Sequence, residues 1–268
     1  MKVKLIAYTP EPEKLICVAA RVCYSNKEDI DAINDDFSEN EIRKLLTRLL
    51  ESRHHSPLEH ASFTFSIEDV DRTVTHELVR HRIASFSQRS QRYCSEDGFG
   101  YETPESVEAS PNYKMFFDDT IRNSKDAYDL LISFGIKKED ARYVLPNATM
   151  SRLVMTMNAR SLLNFFALRC CNRAQPKMRE LAYSILDEVK KVAPILFENA
   201  GPSCVQLGYC PENNQSCGRA LTLKQLLDNN KKYMELIKKN DRFHHEEFEE
   251  EDLDFDPYHD IRNLPNEE

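Results

Sequence analysis

Residues 76–92, HELVRHRIASFSQRSQR, carry four arginines and two histidines against a single glutamate. Arg80, His81 and Arg82 stand together, and Ser90 follows Arg82 after seven intervening residues. If residues 87–92 are extended, Gln88, Ser90 and Arg92 project to one side, because side chains alternate along a strand. An amide, a hydroxyl and a guanidinium would then converge on one ligand, a set suited to a phosphate or a pyrimidine edge. A generic Arg-x-Arg is usually a solvated helix end. Here the polar groups are packed between two apolar elements, and their concentrated positive charge is where an anionic ligand would go.

Glycine placement narrows how a nucleotide could be held. The chain has six glycines, the first of them Gly98, and Thr103 stands where Gly98-Phe99-Gly100 would need a third glycine to make a GxGxxG turn. No glycine-rich phosphate loop can therefore sit in the first third of the chain. Phosphates would have to be met by arginine forks and helix N-termini.

These groups need elements to position them. A chain of 268 residues can bury roughly three quarters of its unfolded surface, so no disulfide or metal is needed for a core. Residues 2–8 alternate like an N-terminal strand. Residues 13–24 and 38–52 read as helices, with Ser38 and Glu41 forming a capping-box signature at the second start. Residues 61–67 form a strand with Phe63, Phe65 and Ile67 on one face, and 71–81 a helix running into the arginines. A long helical pattern follows at 110–134, closed by Gly135, and a short helix at 137–145, stopped by Pro146. A strand at 153–157 leads through Asn158, a helix cap, into a helix at 159–170, and Pro176 precedes another at 178–199. A cysteine-containing loop at 201–219 and a last helix complete the body. Strands interspersed irregularly with helices give an α+β class rather than a βαβ series: one domain with a mixed or antiparallel sheet flanked by helices.

The segments also resemble a known family. Arg80-His81-Arg82, seven residues and Ser90 resemble the signature of flavin-dependent thymidylate synthases. His54-His55-Ser56-Pro57-Leu58-Glu59-His60 is similar to that family's H-x-[ST]-P-x-E-H turn, and Ala141-Arg142 with Leu145-Pro146 to its A-R-x-x-L-P segment. Asn158-Ala159-Arg160-Ser161-Leu162-Leu163-Asn164, continuing to Leu168-Arg169, resembles its N-A-R-S-x-x-N-F helix. Separate motifs in the right order over most of the first 200 residues make the match specific.

The resemblance implies methylation of dUMP to dTMP, with methylenetetrahydrofolate as carbon donor, FAD as cofactor and NADPH as reductant. It implies FAD contacts at Ser56, Arg80, His81, Arg82, Gln88, Asn158, Ala159, Arg160 and Asn164, with His54 near flavin and folate. It implies dUMP contacts at Glu77, Leu78, Val79, Arg80, Gln88, Arg89, Ser90, Gln91, Arg92, Arg142 and Arg169, with Arg169 activating the uracil by stabilising ionisation at N3. The loop from Gln88 to Arg92 would come from a neighbouring subunit, which implies a homotetramer with shared sites. The catalytic domain would cover residues 1–200, and 201–240 would be the cysteine loop and helix. Glu77 departs from the family, where glutamine is common, and Gln88 stands where glutamate is frequent. Spacing agrees with the assignments. Arg160 and Asn164, four apart, share a helix face, while Arg169 lies about 140° further round and would address a second ligand. An arginine suits that role because it stays charged and offers planar paired donors to a developing anion.

Other readings are weaker. Ser90 as a nucleophile has no evident activating base apart from His81, and positioning dUMP is the better role. His54, His55 and His60 lack the partners of a metal site. Cys204, Cys210 and Cys217, with Cys170 or Cys171, could hold zinc, although no pair is C-x-x-C; reduced thiols are the simpler reading, and no metal is expected. A nucleic-acid module using the basic patch from Arg80 to Arg92 would need a wide basic face. Residues 241–268 hold twelve acids and two arginines, leaving a nearly neutral body with 34 basic and 33 acidic groups. That body offers no such face. The tail, carrying Phe243, Phe248 and Phe255, is expected to be disordered. No apolar run is long enough to cross a membrane, and the N-terminus lacks a signal-peptide pattern, so the expected location is cytoplasmic.

Overall fold

A computed structural model of the chain describes residues 1–24 and 37–229. Residues beyond position 229, the acidic tail among them, lie outside the described residues. Strands β1 (Lys2–Tyr8), β2 (Ser62–Asp71), β3 (Ala84–Gln88) and β4 (Met150–Asn158) form one antiparallel sheet in the order β1-β2-β4-β3. The α+β class and the antiparallel alternative are therefore what the chain adopts. One face carries Phe63, Phe65, Ile67, Leu153, Met155 and Met157, all buried. The other carries Ser62, Thr64, Ser66 and Thr156 with Arg152 and the exposed Val154, the hydroxyls of Thr64 and Thr156 lying 3.0 Å apart. This division is what an antiparallel sheet with one solvated face requires.

The helices follow from local signals. α1 (Pro12–Tyr24) packs on α2 (Glu39–Glu51) and on the 3-10 turn Ser56–His60, and Ser38 caps α2 with both bonds of the capping box formed. α3 (Arg72–Leu78) follows β2 without a linker, because Asp71 ends the strand and caps the helix, its Oδ1 accepting from Val74 N–H at 3.0 Å. α4 (Glu105–Glu108) and the long α5 (Pro111–Ser133) come next, with Gly135 at φ +79° closing α5 through its N–H to Ile132 C=O. The segment expected as one helix before Pro146 is α6 (Lys138–Ala141) and a 3-10 turn, Arg142–Val144. α7 (Ala159–Arg169) is capped by Asn158, which accepts from Ser161 N–H at 2.9 Å. α8 (Pro176–Lys190), α9 (Ser203–Leu207) and α10 (Leu223–Asn229) complete the described chain.

Besides that broken helix, the structure departs from the sequence reading in three places, each for a physical reason. β2 runs on past Ile67 because a bulge at Glu68–Val70 absorbs one residue; Asp69 has φ +55°, and Val70 returns to the buried side. The extended segment near the arginines lies earlier than 87–92: β3 ends at Gln88 and the chain turns at Gln91. α8 stops at Lys190 rather than Asn199, since Pro194 disfavours helix in the residue before it. Ile195, Leu196 and Phe197 stay in the core through turns instead.

The buried Asp71 cap starts the helix that carries Glu77. Asp71→Ala is expected to lower stability by about 1–2 kcal/mol, read as a shift of the denaturant midpoint, and Asp71→Asn to restore most of it. An unchanged midpoint in Asp71→Ala would remove the cap from the account.

Candidate active site

β2 and β4 pair from Ser62↔Asn158 at one end to Asp71↔Met150 at the other. α3 therefore leaves one end of the paired strands and α7 the other. α7 spans about 16 Å and α3 about 10 Å, together close to the roughly 30 Å length of β2, and their C-terminal ends meet. Arg169, the last residue of α7, donates from Nε to His81 Nε2 at 2.7 Å and from Nη1 to Glu77 Oε2 at 3.1 Å.

His81 is held from behind by Phe165, edge to face at 5.0 Å. Burial, and after it the positive charge of Arg169, lower its pKa to about 4. A neutral imidazole whose Nε2 accepts from Arg169 carries its proton on Nδ1. The chain stays helical in trend beyond α3, with Arg80 N–H bonded to Glu77 C=O and His81 N–H to Leu78 C=O. Glu77 and His81, four residues apart, thus reach Arg169 from one side.

Beside this contact, α7 forms the wall of a cleft of about 610 Å³. Its lining includes Arg82, Asn158, Arg160 and Asn164 from the residues expected at FAD, together with His55, Glu59, Ile83 and Gln206. Arg160 pairs with Glu59, and burial and then Arg160 lower the pKa of His55. Two guanidiniums, two asparagine amides, one glutamine amide and the capped start of α7 make a donor set for a diphosphate, while Ile83, Leu163 and Ala167 offer apolar surface to a ring system. No glycine lines the cleft. The residues present fit a flavin nucleotide.

The remaining expected residues fall into distinct surroundings. Ser56 begins the 3-10 turn after His55 and is exposed, as is Arg80. Leu78 and Ala159 are fully buried in the core, so their side chains are closed to a ligand; Val79 caps α3. Gln88 Nε2 donates to Thr75 Oγ1 at 3.0 Å and Ser151 Oγ at 3.2 Å. Arg89 donates to Ser95 C=O and lies 3.6 Å from the buried Glu96. Ser90 Oγ accepts from Arg92 N–H at 3.2 Å, and His81 is engaged with Arg169, so among the described residues no base is bonded to Ser90. Gln88, Ser90 and Arg92 do not converge in one chain. Arg92 instead grips Glu139 through Nε at 2.9 Å and Nη2 at 2.7 Å, and Arg142 donates to Glu139 C=O at 3.1 Å. The two arginines suited to a phosphate are thus brought to one residue, with Arg72 and Gln91 bonded to each other at 2.6 Å.

Sequence reasoning missed Glu59 and Gln206 in the cleft and Arg72 beside Gln91. Glu59 could have been found as the acid within the quoted turn; Gln206 and Arg72 carry no local signal. With Arg89 and Arg92 on carboxylates, the patch from Arg80 to Arg92 is not a run of free cations, which weakens the nucleic-acid reading. All eight cysteines are free thiols, burial pushes Cys170 up to about 12, and among the described residues no group of three or more His, Cys, Asp or Glu is placed to hold a metal.

The His81 shift has a consequence for stability. Its folded pKa of about 4 lies below the ordinary value near 6.5, so in the window between them the unfolded chain binds more protons. Stability contributed by neutral His81 is present above about pH 6.5 and is lost as pH falls towards about 4. Denaturant midpoints of the parent and His81→Asn across that window should show a steeper acid loss in the parent. Parallel profiles would contradict the buried neutral imidazole.

Residues 4–195 match the family model described as "Thymidylate synthase complementing protein". The chain is 48% identical over 242 residues to a flavin-dependent thymidylate synthase of Clostridium tetani, covering 84% of this chain and 96% of that one. It is 46% identical over 228 residues to one of Geobacter sulfurreducens, covering 84% and 97%. In structure it is similar to the UMP/dUMP methylase PolB of Streptomyces cacaoi bound with 5-Br dUMP, at a TM-score of 0.64 and 27% identity over 74% of this chain and 93% of that one. With the motifs, the arginine-lined cleft and these likenesses in agreement, the chain belongs to the thymidylate synthase complementing protein family, that of the flavin-dependent thymidylate synthases.

Proposed function

We propose that this chain is a flavin-dependent thymidylate synthase. It transfers a one-carbon unit from 5,10-methylenetetrahydrofolate to C5 of dUMP and, with NADPH as the reductant, yields dTMP and tetrahydrofolate. The observation that carries the reading is the cleft along α7, where Arg82, Arg160, Asn158 and Asn164 meet without a glycine loop, together with Arg169, held at the C-terminal end of the same helix by His81 and Glu77. Bound there, FAD would supply the hydride that completes the methyl group.

The chain's own residues bind, orient and polarise. Arg82 and Arg160 neutralise the cofactor's diphosphate, and Asn164, one helical turn on from Arg160, aligns the same ligand. Arg169 addresses the uracil, its fixed charge stabilising the anion that forms on ionisation at N3. Arg92 and Arg142 take the dianionic phosphate, exchanging the contacts at Glu139 for it. Ser90 positions dUMP and is not a nucleophile.

The assembly is a homotetramer in which the loop from Gln88 to Arg92 serves a neighbour's site. The cleft of one chain is not lined by that loop. Beside expected site residues stand large apolar side chains open to solvent, with Ile83 73%, Tyr93 75% and Tyr143 85% exposed, surface that a neighbouring subunit would cover. The catalytic unit is residues 1–200, and the free thiols suit the cytoplasm.

Arg169→Ala is expected to retain bound FAD and to lose dTMP formation by about a hundredfold or more, the loss typical when a charge-stabilising donor is removed. Product is read by chromatography and flavin by absorbance. Near-normal turnover with full flavin content would mean that Arg169 does not activate the uracil.

A further inference from the structure

Arg169 has two protein contacts that differ in charge. His81 Nε2 accepts at 2.7 Å and is neutral, so it orients the guanidinium without offsetting it. Glu77, at 3.1 Å, is the carboxylate paired with Arg169. Both side chains of the pair are largely screened from water, Arg169 being 25% and Glu77 33% exposed, where an unpaired charge is costly. The contacts take Nε and Nη1, and among the described residues Nη2 has no protein acceptor. Nη2 lies between the two engaged nitrogens of a rigid planar fork, so fixing them fixes where it points. Sequence alone gives Glu77 a troubling look, a carboxylate where an amide is common and where a phosphate would be repelled. The geometry removes that objection by turning the carboxylate onto Arg169.

We propose that Glu77 is a positioning residue: its carboxylate, with His81, holds Arg169 with Nη2 presented to dUMP before the substrate binds. The proposal rests on the reading of Arg169 as the residue that meets the uracil. An arginine ordered in advance loses less freedom on binding, so pre-organisation is paid out as affinity and as rate. Glu77 touches no reacting atom, so its whole effect passes through Arg169 and must vanish when Arg169 is gone.

The experiment is a double-mutant cycle on the flavin-loaded enzyme, with dUMP affinity read by calorimetry and turnover by dTMP formation. Glu77→Ala is expected to weaken dUMP binding and to lower kcat, each by about tenfold, while NADPH reduces the flavin as in the parent when dUMP is absent. Glu77→Gln, whose amide oxygen can still accept from Nη1, is expected to recover most of both losses. In an Arg169→Ala background, Glu77→Ala should change dUMP affinity by less than about twofold. The same tenfold loss in that background would show that Glu77 acts on ligand or fold directly, and parental behaviour of Glu77→Ala would show that it does nothing; either overturns the proposal. Near-normal turnover of Arg169→Ala alone would overturn the parent reading and this proposal with it, whereas an inactive Arg169→Ala beside an unaffected Glu77→Ala fells the positioning role only. Should Glu77→Ala not fold, the cycle is run with Glu77→Gln, whose about threefold loss must likewise disappear without Arg169.

Discussion

The antiparallel pairing of β2 with β4 sets the geometry of the site. It fixes Ser62 opposite Asn158 and Asp71 opposite Met150, and each strand hands directly into a capped helix at its own C-terminal end. Two helices that begin at opposite ends of one strand pair have one place to meet, and its position depends on strand register. A slip of one residue would turn Phe63, Phe65 and Ile67 to the polar face, and the helix starts would move with it. The bulge at Glu68–Val70 belongs to this arrangement, since it brings Val70 and Asp71 to the buried side before α3 begins.

A series of ring contacts links the sheet to the site. Phe63 meets Phe197 at 5.6 Å, Phe197 meets Phe166 at 5.9 Å, Phe166 meets Phe165 at 5.8 Å, and Phe165 meets His81 at 5.0 Å. Edge-to-face rings of this kind pack at defined angles as well as burying area. The last of them keeps His81 dry, and a dry imidazole beside a guanidinium remains neutral. Packing in the core thereby decides a protonation state, and that state decides that His81 accepts from Arg169 rather than repelling it. The electrostatics of the site are a product of the hydrophobic layer behind it.

Much of this was legible in the sequence, because the informative signals are local. The Ser38–Glu41 capping box, the Asn158 cap, the alternation of β1 and the glycine at position 135 all act within a few residues. The arginine motifs pointed to an anion site without a glycine loop, and the cleft has that composition. What failed was non-local. The bulge that lengthens β2 is set by its partner strand. β3 is short and half-buried, and its alternation of small residues is too weak to announce a strand without β4 beside it. Gln206 reaches the cleft from α9, far along the chain, and the partnership of Glu77 with Arg169 spans 92 positions. The convergence of Gln88, Ser90 and Arg92 assumed an extended segment where the chain turns, so it did not survive the fold.

The central claim is that a flavin and dUMP occupy adjoining sites along α7, and an anaerobic visible spectrum of the FAD-reconstituted protein tests it most directly. Bound flavin that bleaches on addition of NADPH, and bleaches faster with dUMP present, is the predicted result, because it requires both ligands at communicating sites. A protein that remains colourless after exposure to FAD would contradict the account at its base.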